Sequence, residues 1–306
     1  MFKFIFKRIL QAIPVLLIVA TLTFFMIRLA PGGPFSTDKN ISPEIMVNIN
    51  KHYGLDKPVL QQYLDYMLSL LKGDLGPSYK YTNRTVNDII AQTFQVSLEL
   101  GLMAILFAVA LGVLSGVTAA IKPNSLRDYA SMSFVMIGIC VPAFVLGPLL
   151  IWLFAIKLEW FNVAGWNTLS DSVLPTITLG AIYAANIARL SRGGMLEILS
   201  HDFIRTARAK GISEKWVIMR HALRGGLMPV ISYIGPAIAG VITGSFVVET
   251  IFQIPGLGRI FVQAAFDRDY TMIVGTVLFY AILIVALNVL VDVLQIWLYP
   301  RRSFDN

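Results

Sequence analysis

Apolar residues in this chain run in long, nearly unbroken blocks instead of alternating or recurring on one helical face. A bilayer core of about 30 Å takes about 20 apolar residues as a helix. Six blocks come close to or exceed that length: 9–29, 96–121, 130–156, 173–190, 229–252 and 273–299, of which 173–190 is the shortest. Lipid offers no partner for stray amides, so each block predicts a membrane-spanning helix. The first follows Lys3, Lys7 and Arg8 as a signal peptide would, but its apolar run exceeds a typical h-region. Pro31-Gly-Gly-Pro34 is also a poor cleavage site, so it reads as a retained helix.

The segment 31–95 is too long and too patterned for a simple link. Ser42-Pro43-Glu44 supplies an N-cap, a first-turn proline and an early acid, and Gly54 a stop. Asp56 is placed to cap a second helix whose Leu60, Tyr63, Leu64, Met67 and Leu71 share one face, and Thr85 to Asp88 resembles a capping box. A small helical subdomain on the outer membrane face is expected. It could be a lid over helix ends or a docking surface for a soluble partner.

Composition sharpens this picture. Of 306 residues 56% are hydrophobic and only 14% charged, where soluble domains average about a quarter. The formal charge of +7 points away from nucleic acid once the cations are sorted by side. With the N-terminus cytoplasmic, the inner loops hold Lys3, Lys7, Arg8, Lys122, Arg127, Arg189, Arg192, Arg301, Arg302 and a dense cluster at 205–224, so both ends face the cytoplasm. The single cysteine, Cys140, excludes an internal disulfide and reads as a packing residue. No Walker A, HExxH or Ser-His-Asp set is present, so no catalytic, metal or cofactor site is expected in this chain.

The cluster lies in FIRTARAKGISEKWVIMRHALRGG, 203–226. Asp202 or Ser200 is placed to cap a first short helix, Gly211 to end it in the left-handed region, and Ser213 to cap a second. Phe203, Ile204 and Ala207 fall on one face beside Arg205 and Arg208, an apolar stripe that needs a partner. Ala207 and Ala209 are small enough to enter another protein's groove. Within the spans, Pro142, Pro148, Pro236, Gly240 and Gly244 mark helix irregularity of the kind tolerated beside a water-filled path. Gly112/Gly116 and Gly240/Gly244 are GxxxG pairs suited to close helix packing. Asn288, Asp292 and Gln295 form a polar stripe, either bonded to neighbouring helices or part of a proton path.

Ala207 to Gly211 (ARAKG) followed by Arg220 to Val230 (RHALRGGLMPV) resembles the EAA loop of ATP-binding-cassette importer permeases. RILQAIPVLLIV near Arg8, RLAPGGP near Arg28, GDLGPS near Gly73, VVETIFQIPGLG near Glu249 and Arg268-Asp-Tyr270 extend the resemblance along the whole chain, most closely to the B subunits of oligopeptide permeases. Gly211 and Ala207 match the loop's pattern. Its Glu position falls on Arg205, its first Ala on Thr206 and its proline on Arg224.

The resemblance implies an all-α, six-span type I importer permease over 1–306, with an outer insertion at 31–95 and a cytoplasmic coupling loop at 192–228. It implies a coupling helix carried by Asp202, Phe203, Arg205, Thr206, Ala207, Arg208, Ala209, Lys210 and Gly211. It further implies a second homologous permease, two cytoplasmic ATPases that bind ATP and magnesium, and a periplasmic peptide-binding protein, all in a bacterial inner membrane. Dipeptides or a chelated metal are the alternative cargo. A self-sufficient, ion-coupled transporter is the rival from another class; it calls for internal repeats and a membrane-embedded charge, neither of which is clear here.

Overall fold

The computed structural model describes residues 2–29, 33–35 and 43–298, and among them every regular element is helical. In chain order these are α1 (Phe2–Leu29), α2 (Pro43–His52), α3 (Val59–Leu71), α4 (Val86–Ile121), α5 (Leu126–Cys140) and α6 (Ala143–Leu150), which runs on as π-helix Ile151–Lys157. There follow α7 (Leu169–Leu199), α8 (Asp202–Ala209), α9 (Glu214–Trp216), the π-helix Val217–Ala222, α10 (Leu223–Gly226), α11 (Met228–Gly244), α12 (Phe246–Ile251), α13 (Leu257–Asp267) and α14 (Tyr270–Leu298). Five spans are long and apolar enough to cross a membrane: Leu10–Leu29, Val86–Ile121, Leu169–Leu199, Met228–Ile251 and Tyr270–Val291. A sixth forms if the bent pair Leu126–Cys140 and Ala143–Lys157 counts as one.

That pair departs from the straight third span expected over 130–156: its halves meet at 109°. Val141 is extended (φ −103°, ψ 114°), and Pro142, which lacks an N–H, leads α6 with φ −58° and ψ 146°. The residue before a proline is driven out of the helical region, so the chain turns there. The fourth span runs to Leu199, well past the expected 190. Arg189 and Arg192 read as the membrane's edge, yet α7 continues through both. The separate outer helix expected at Thr85 is instead the first turn of α4. There the Thr85 and Asp88 side chains accept from each other's backbone amides, both at 3.2 Å.

The chain divides into two compact units, Met1–Gln95 with Gly256–Ala286, and Val96–Pro255 with Leu287–Asn306. In the first, Val86, Ile89 and Ile90 pack with Leu257, Ala264 and Met272. Two motifs distant in sequence meet here: the Ser78 hydroxyl donates to the Asp269 carboxylate, which also accepts from the Met272 amide and so caps α14. Phe24 of α1 is buried against the rings of Tyr63 and Tyr66 from α3, at 5.4 and 5.7 Å. The face of α3 toward α1 is therefore the tyrosine face, and Leu60, Leu64 and Leu71 of the expected apolar face are exposed. Gly54 is left-handed (φ +64°), as a helix stop requires. Pro58, not Asp56, occupies the N-cap of α3, and Ser42 lies outside the described residues.

The second unit is organised on α7. Gly112 and Gly116 of α4 bring that helix against Ala184, Ile187, Ala188 and Ser191, where any Cβ would collide with backbone. Gly138 does the same for α5 at Ala181. The other GxxxG behaves differently: Gly240 faces the Tyr183 hydroxyl, but nothing lies within 4 Å of a Cβ at Gly244. Cys140, expected in packing, is exposed at the end of α5. The side chains of Asp292 and Gln295 lie outside the described set.

Candidate functional site

The basic loop folds as two short helical pieces joined at Gly211. Helix α8 ends in a Schellman turn: the Ile212 amide donates to the Ala207 carbonyl (3.3 Å) and the Gly211 amide to that of Arg208 (2.9 Å). Gly211 has φ +74° and open space around its Cα, so the position demands glycine for its backbone alone. At the other end His201, not Asp202 or Ser200, is the N-cap residue and its side chain makes no capping bond. Ser200 Oγ instead donates to the Glu197 carbonyl (2.6 Å), and Asp202 meets Arg205 at 3.5 Å in an exposed pair. Ser213 occupies the second N-cap, also without a side-chain bond.

The apolar stripe finds its partner inside the same chain. Ile204 and Ala207 are buried with Ala120 at the end of α4, Met195 of α7, and Val217, Ile218 and Ala222 of the π-helix. Phe203, expected on the same face, is about half exposed, and Trp216 and Met219 are also exposed. The outer surface of the loop is thus Asp202, Phe203, Arg205, Thr206, Arg208, Ala209, Lys210 and Gly211. Arg208 reaches across the turn, Nε at 3.0 Å and Nη2 at 2.6 Å from the Glu214 carboxylate. That contact holds the Glu214 carboxyl below its ordinary range and the Arg208 guanidinium above its own. Gly226 and Gly194 complete the attachment, since a Cβ on Gly226 would meet Met195 and one on Gly194 the Gly226 carbonyl.

The broken span makes the second feature. A cavity of about 280 Å³ opens at the Val141–Pro142 break, walled by Gly138, Pro142, Phe144, Thr178, Tyr183 and Gly244 among others. Two of the predicted irregularities, Pro142 and Gly244, are brought together there. Gly240 contacts Tyr183, one of the wall residues, while Pro148 and Pro236 sit exposed on α6 and α11 and line no part of it. Deeper in the unit Glu249 is fully buried and accepts from Ser97 Oγ (2.8 Å) and Ser245 Oγ (2.6 Å). Such bonds are what allow a carboxylate into an apolar core.

Comparison with known proteins accounts for a whole chain built this way. Residues 108–304 match the family described as binding-protein-dependent transport system inner membrane component, and residues 1–101 match the N-terminal part of such components. The chain belongs to this family. Among its relatives, the oligopeptide transport system permease proteins OppB of Haemophilus influenzae and Escherichia coli are each 47% identical over 99% of this chain and all of theirs. The dipeptide transport system permease protein DppB of Bacillus subtilis is 42% identical over 98% of both. A chain of the MetNI methionine ABC transporter, in inward-facing conformations, superposes with TM-score 0.56 at 19% identity, covering 67% of this chain and 94% of that one. The fold is that of the type I importer permeases.

As a family member the chain is a multi-pass inner-membrane permease component, a transport subunit and not an enzyme. Permeases of this family work with ATPase subunits and a binding protein. Among the described residues no group of three or more His, Cys, Asp or Glu is placed to hold a metal. Sequence reasoning missed the residues that attach the loop to the spans. Gly194 and Met195 lie within the last turns of α7, and Gly225-Gly226 reads as a helix end, not as close packing. The two Gly-Gly pairs, 193–194 and 225–226, were the available signal.

Proposed function

We propose that this chain is one of two homologous permease subunits of an ATP-driven oligopeptide importer and forms half of its translocation path. Residues 31–95 are its outer insertion, on the side where a peptide-binding protein delivers cargo. The 192–228 loop is its cytoplasmic coupling element, with the exposed side of α8 seated on one of two ATPases that bind ATP and magnesium. The observation that carries this reading is the two-faced character of α8. Ile204 and Ala207 fasten it to the ends of α4 and α7, while Phe203, Arg205 and Arg208 are exposed outside. A push on the outer face therefore moves two membrane helices through packed contacts instead of bending a slack loop. The cavity at Pro142 and Gly244 is the part of the path wall that such a movement would reshape.

Gentle detergent extraction of the tagged chain, with mass spectrometry of what stays bound, tests this reading. A second polytopic chain and P-loop ATPases are expected, and Arg205→Glu with Ala209→Trp should release the ATPases while leaving the permease pair intact. Active transport by the chain alone after reconstitution would overturn it. Dipeptide cargo is the second reading, supported by the DppB relatives, and uptake of labelled di- and pentapeptides separates the two.

A further inference from the structure

The first unit contains a cavity that none of these roles uses. Its volume is about 330 Å³, and it is walled by the end of α1, the end of α2, α3, the segment 75–79 and the start of α14. The cations on its wall are Arg28, Lys51 and Lys57, and the acid is Asp65, already held by Lys57 at 2.7 Å. Arg28 stacks over the Phe24 ring, 3.5 Å from its centroid, and donates through Nε and Nη2 to the Gln62 carbonyl and through Nη1 to the Phe24 carbonyl. All of these partners are neutral, and a guanidinium has five N–H donors to place. The Tyr66 hydroxyl, on the same wall, is buried without a hydrogen-bond partner. A half-buried cation whose partners among the described residues are all neutral, beside an unused donor, is a site prepared for an anion.

Position identifies the anion. Leu10–Leu29 is a 20-residue span, the length of a bilayer core, so Arg28 lies at the headgroup level. The Tyr63 hydroxyl meets Thr21 Oγ1 at 2.8 Å, and Thr21 is roughly 10 Å of helical rise inward of Arg28. Helix α3 is therefore held against the outer end of α1, and its exposed Leu60, Leu64, Leu68 and Leu71 form an apolar stripe. The cavity is at the small end of the roughly 300–1,000 Å³ typical of ligand sites. That suits a headgroup and is too small for an oligopeptide.

We propose that this cavity binds the phosphate of a phospholipid headgroup. Arg28 and Lys51 face the phosphate, Tyr66 supplies a further hydroxyl donor, and the leucine stripe of α3 lies against acyl chains. With Arg28 and Lys51 both lacking an acidic partner among the described residues, anionic lipid binds in preference to zwitterionic. The inference stands apart from the cargo and the coupling loop.

The test is native mass spectrometry of the full-length chain in its detergent-extracted complex, titrated with phosphatidylglycerol, phosphatidylcholine or sodium phosphate. Wild type is expected to retain one phosphatidylglycerol per copy, with phosphatidylcholine weaker. Arg28→Gln is expected to bind about ten-fold or more weakly, the effect of losing a charge-assisted bond, and Arg28→Lys to recover most of it. Lys51→Gln, at an exposed position, should weaken retention several-fold without touching the fold. If sodium phosphate binds in an Arg28-dependent way while lipid retention is the same in all variants, the ligand is free phosphate and the headgroup assignment falls. Equal lipid retention by wild type, Arg28→Gln and Lys51→Gln, with no phosphate binding, overturns the site. Should Arg28→Gln fail to survive extraction, Lys51→Gln and Tyr66→Phe decide by the same criterion.

Discussion

Arg192 grips Asp128 with both arms of its guanidinium, Nε at 2.8 Å and Nη2 at 2.7 Å, joining the inner part of α7 to the first turn of α5. Asp128 is nearly fully buried and also accepts from the Asn124 amide at 2.9 Å. Removing one partner of such a pair strands the other, which costs more than the pair contributes. The Arg192 side is partly exposed, which moderates the loss, so Asp128→Asn should destabilise by about 1–3 kcal/mol. Thermal unfolding in detergent checks this, and an unchanged Tm would end the argument.

Gly211 separates backbone strain from crowding. Its φ of +74° is one that L side chains rarely adopt, while the space around it is open. Gly211→Val should therefore distort the Schellman turn at a cost of about 1–2 kcal/mol and reduce uptake. Gly211→Asn, which tolerates the left-handed region, should retain most activity. The comparison is uptake at matched membrane abundance. Equal transport by both variants would mean the turn is not needed for coupling.

Gly116 and Gly244, each the second glycine of a GxxxG pair, should respond in opposite ways. A Cβ at Gly116 runs into the Ala188 carbonyl and Ser191, so Gly116→Ala should force α4 from α7 and destabilise by about 1–3 kcal/mol. Gly244→Ala meets nothing within 4 Å and should be neutral or slightly stabilising. Protease sensitivity of the folded chain in membranes distinguishes them, and equal sensitivity would contradict the packing described.

The Arg208–Glu214 pair gives the loop a pH signature. Glu214 titrates below its unfolded value because Arg208 donates to it. Its stabilising contribution is therefore present above the ordinary glutamate pKa of about 4.3 and is lost as pH falls through the lower, folded value. Both side chains are about half exposed, which limits the coupling to roughly 0.2–1 kcal/mol and makes it sensitive to salt. A double-mutant cycle with Arg208→Gln and Glu214→Gln should show that coupling at pH 7 and a diminishing one as the pH is lowered stepwise through the acid range. A coupling that does not fall at any acid pH where the chain stays folded would exclude the ion pair as its source.

Much of the architecture was legible because it depends on local rules. Long apolar blocks can only be spans in lipid, and the left-handed turn at Gly211 and the reciprocal cap at Thr85 and Asp88 are written within a few residues. The same local rules mislead where a distant residue decides. Asp202, Ser200, Ser213 and Asp56 are good capping residues, yet the helices beside them begin without their side chains. Arg192 reads as a charge at the membrane's edge until Asp128, 64 positions earlier, neutralises it and lets α7 run on.

The sequence by itself determined which segments are apolar enough to cross the membrane, the left-handed stops at Gly54 and Gly211, and that a basic loop would fold as helix, turn and helix. Periodicity, glycine and charge asymmetry carry that information through short-range sterics and the absence of water in lipid. Only the tertiary structure decided which face of each helix is covered. Ile204 and Ala207 turn inward onto α4 and α7 and leave Phe203 outside. Tyr63 and Tyr66 take the side of α3 that faces Phe24, so its leucines stay exposed. The third span bends through 109° at Pro142. A helix face has no intrinsic partner, because apolar burial is non-directional and satisfied by whatever surface fits; the partner is a property of residues far away in the chain.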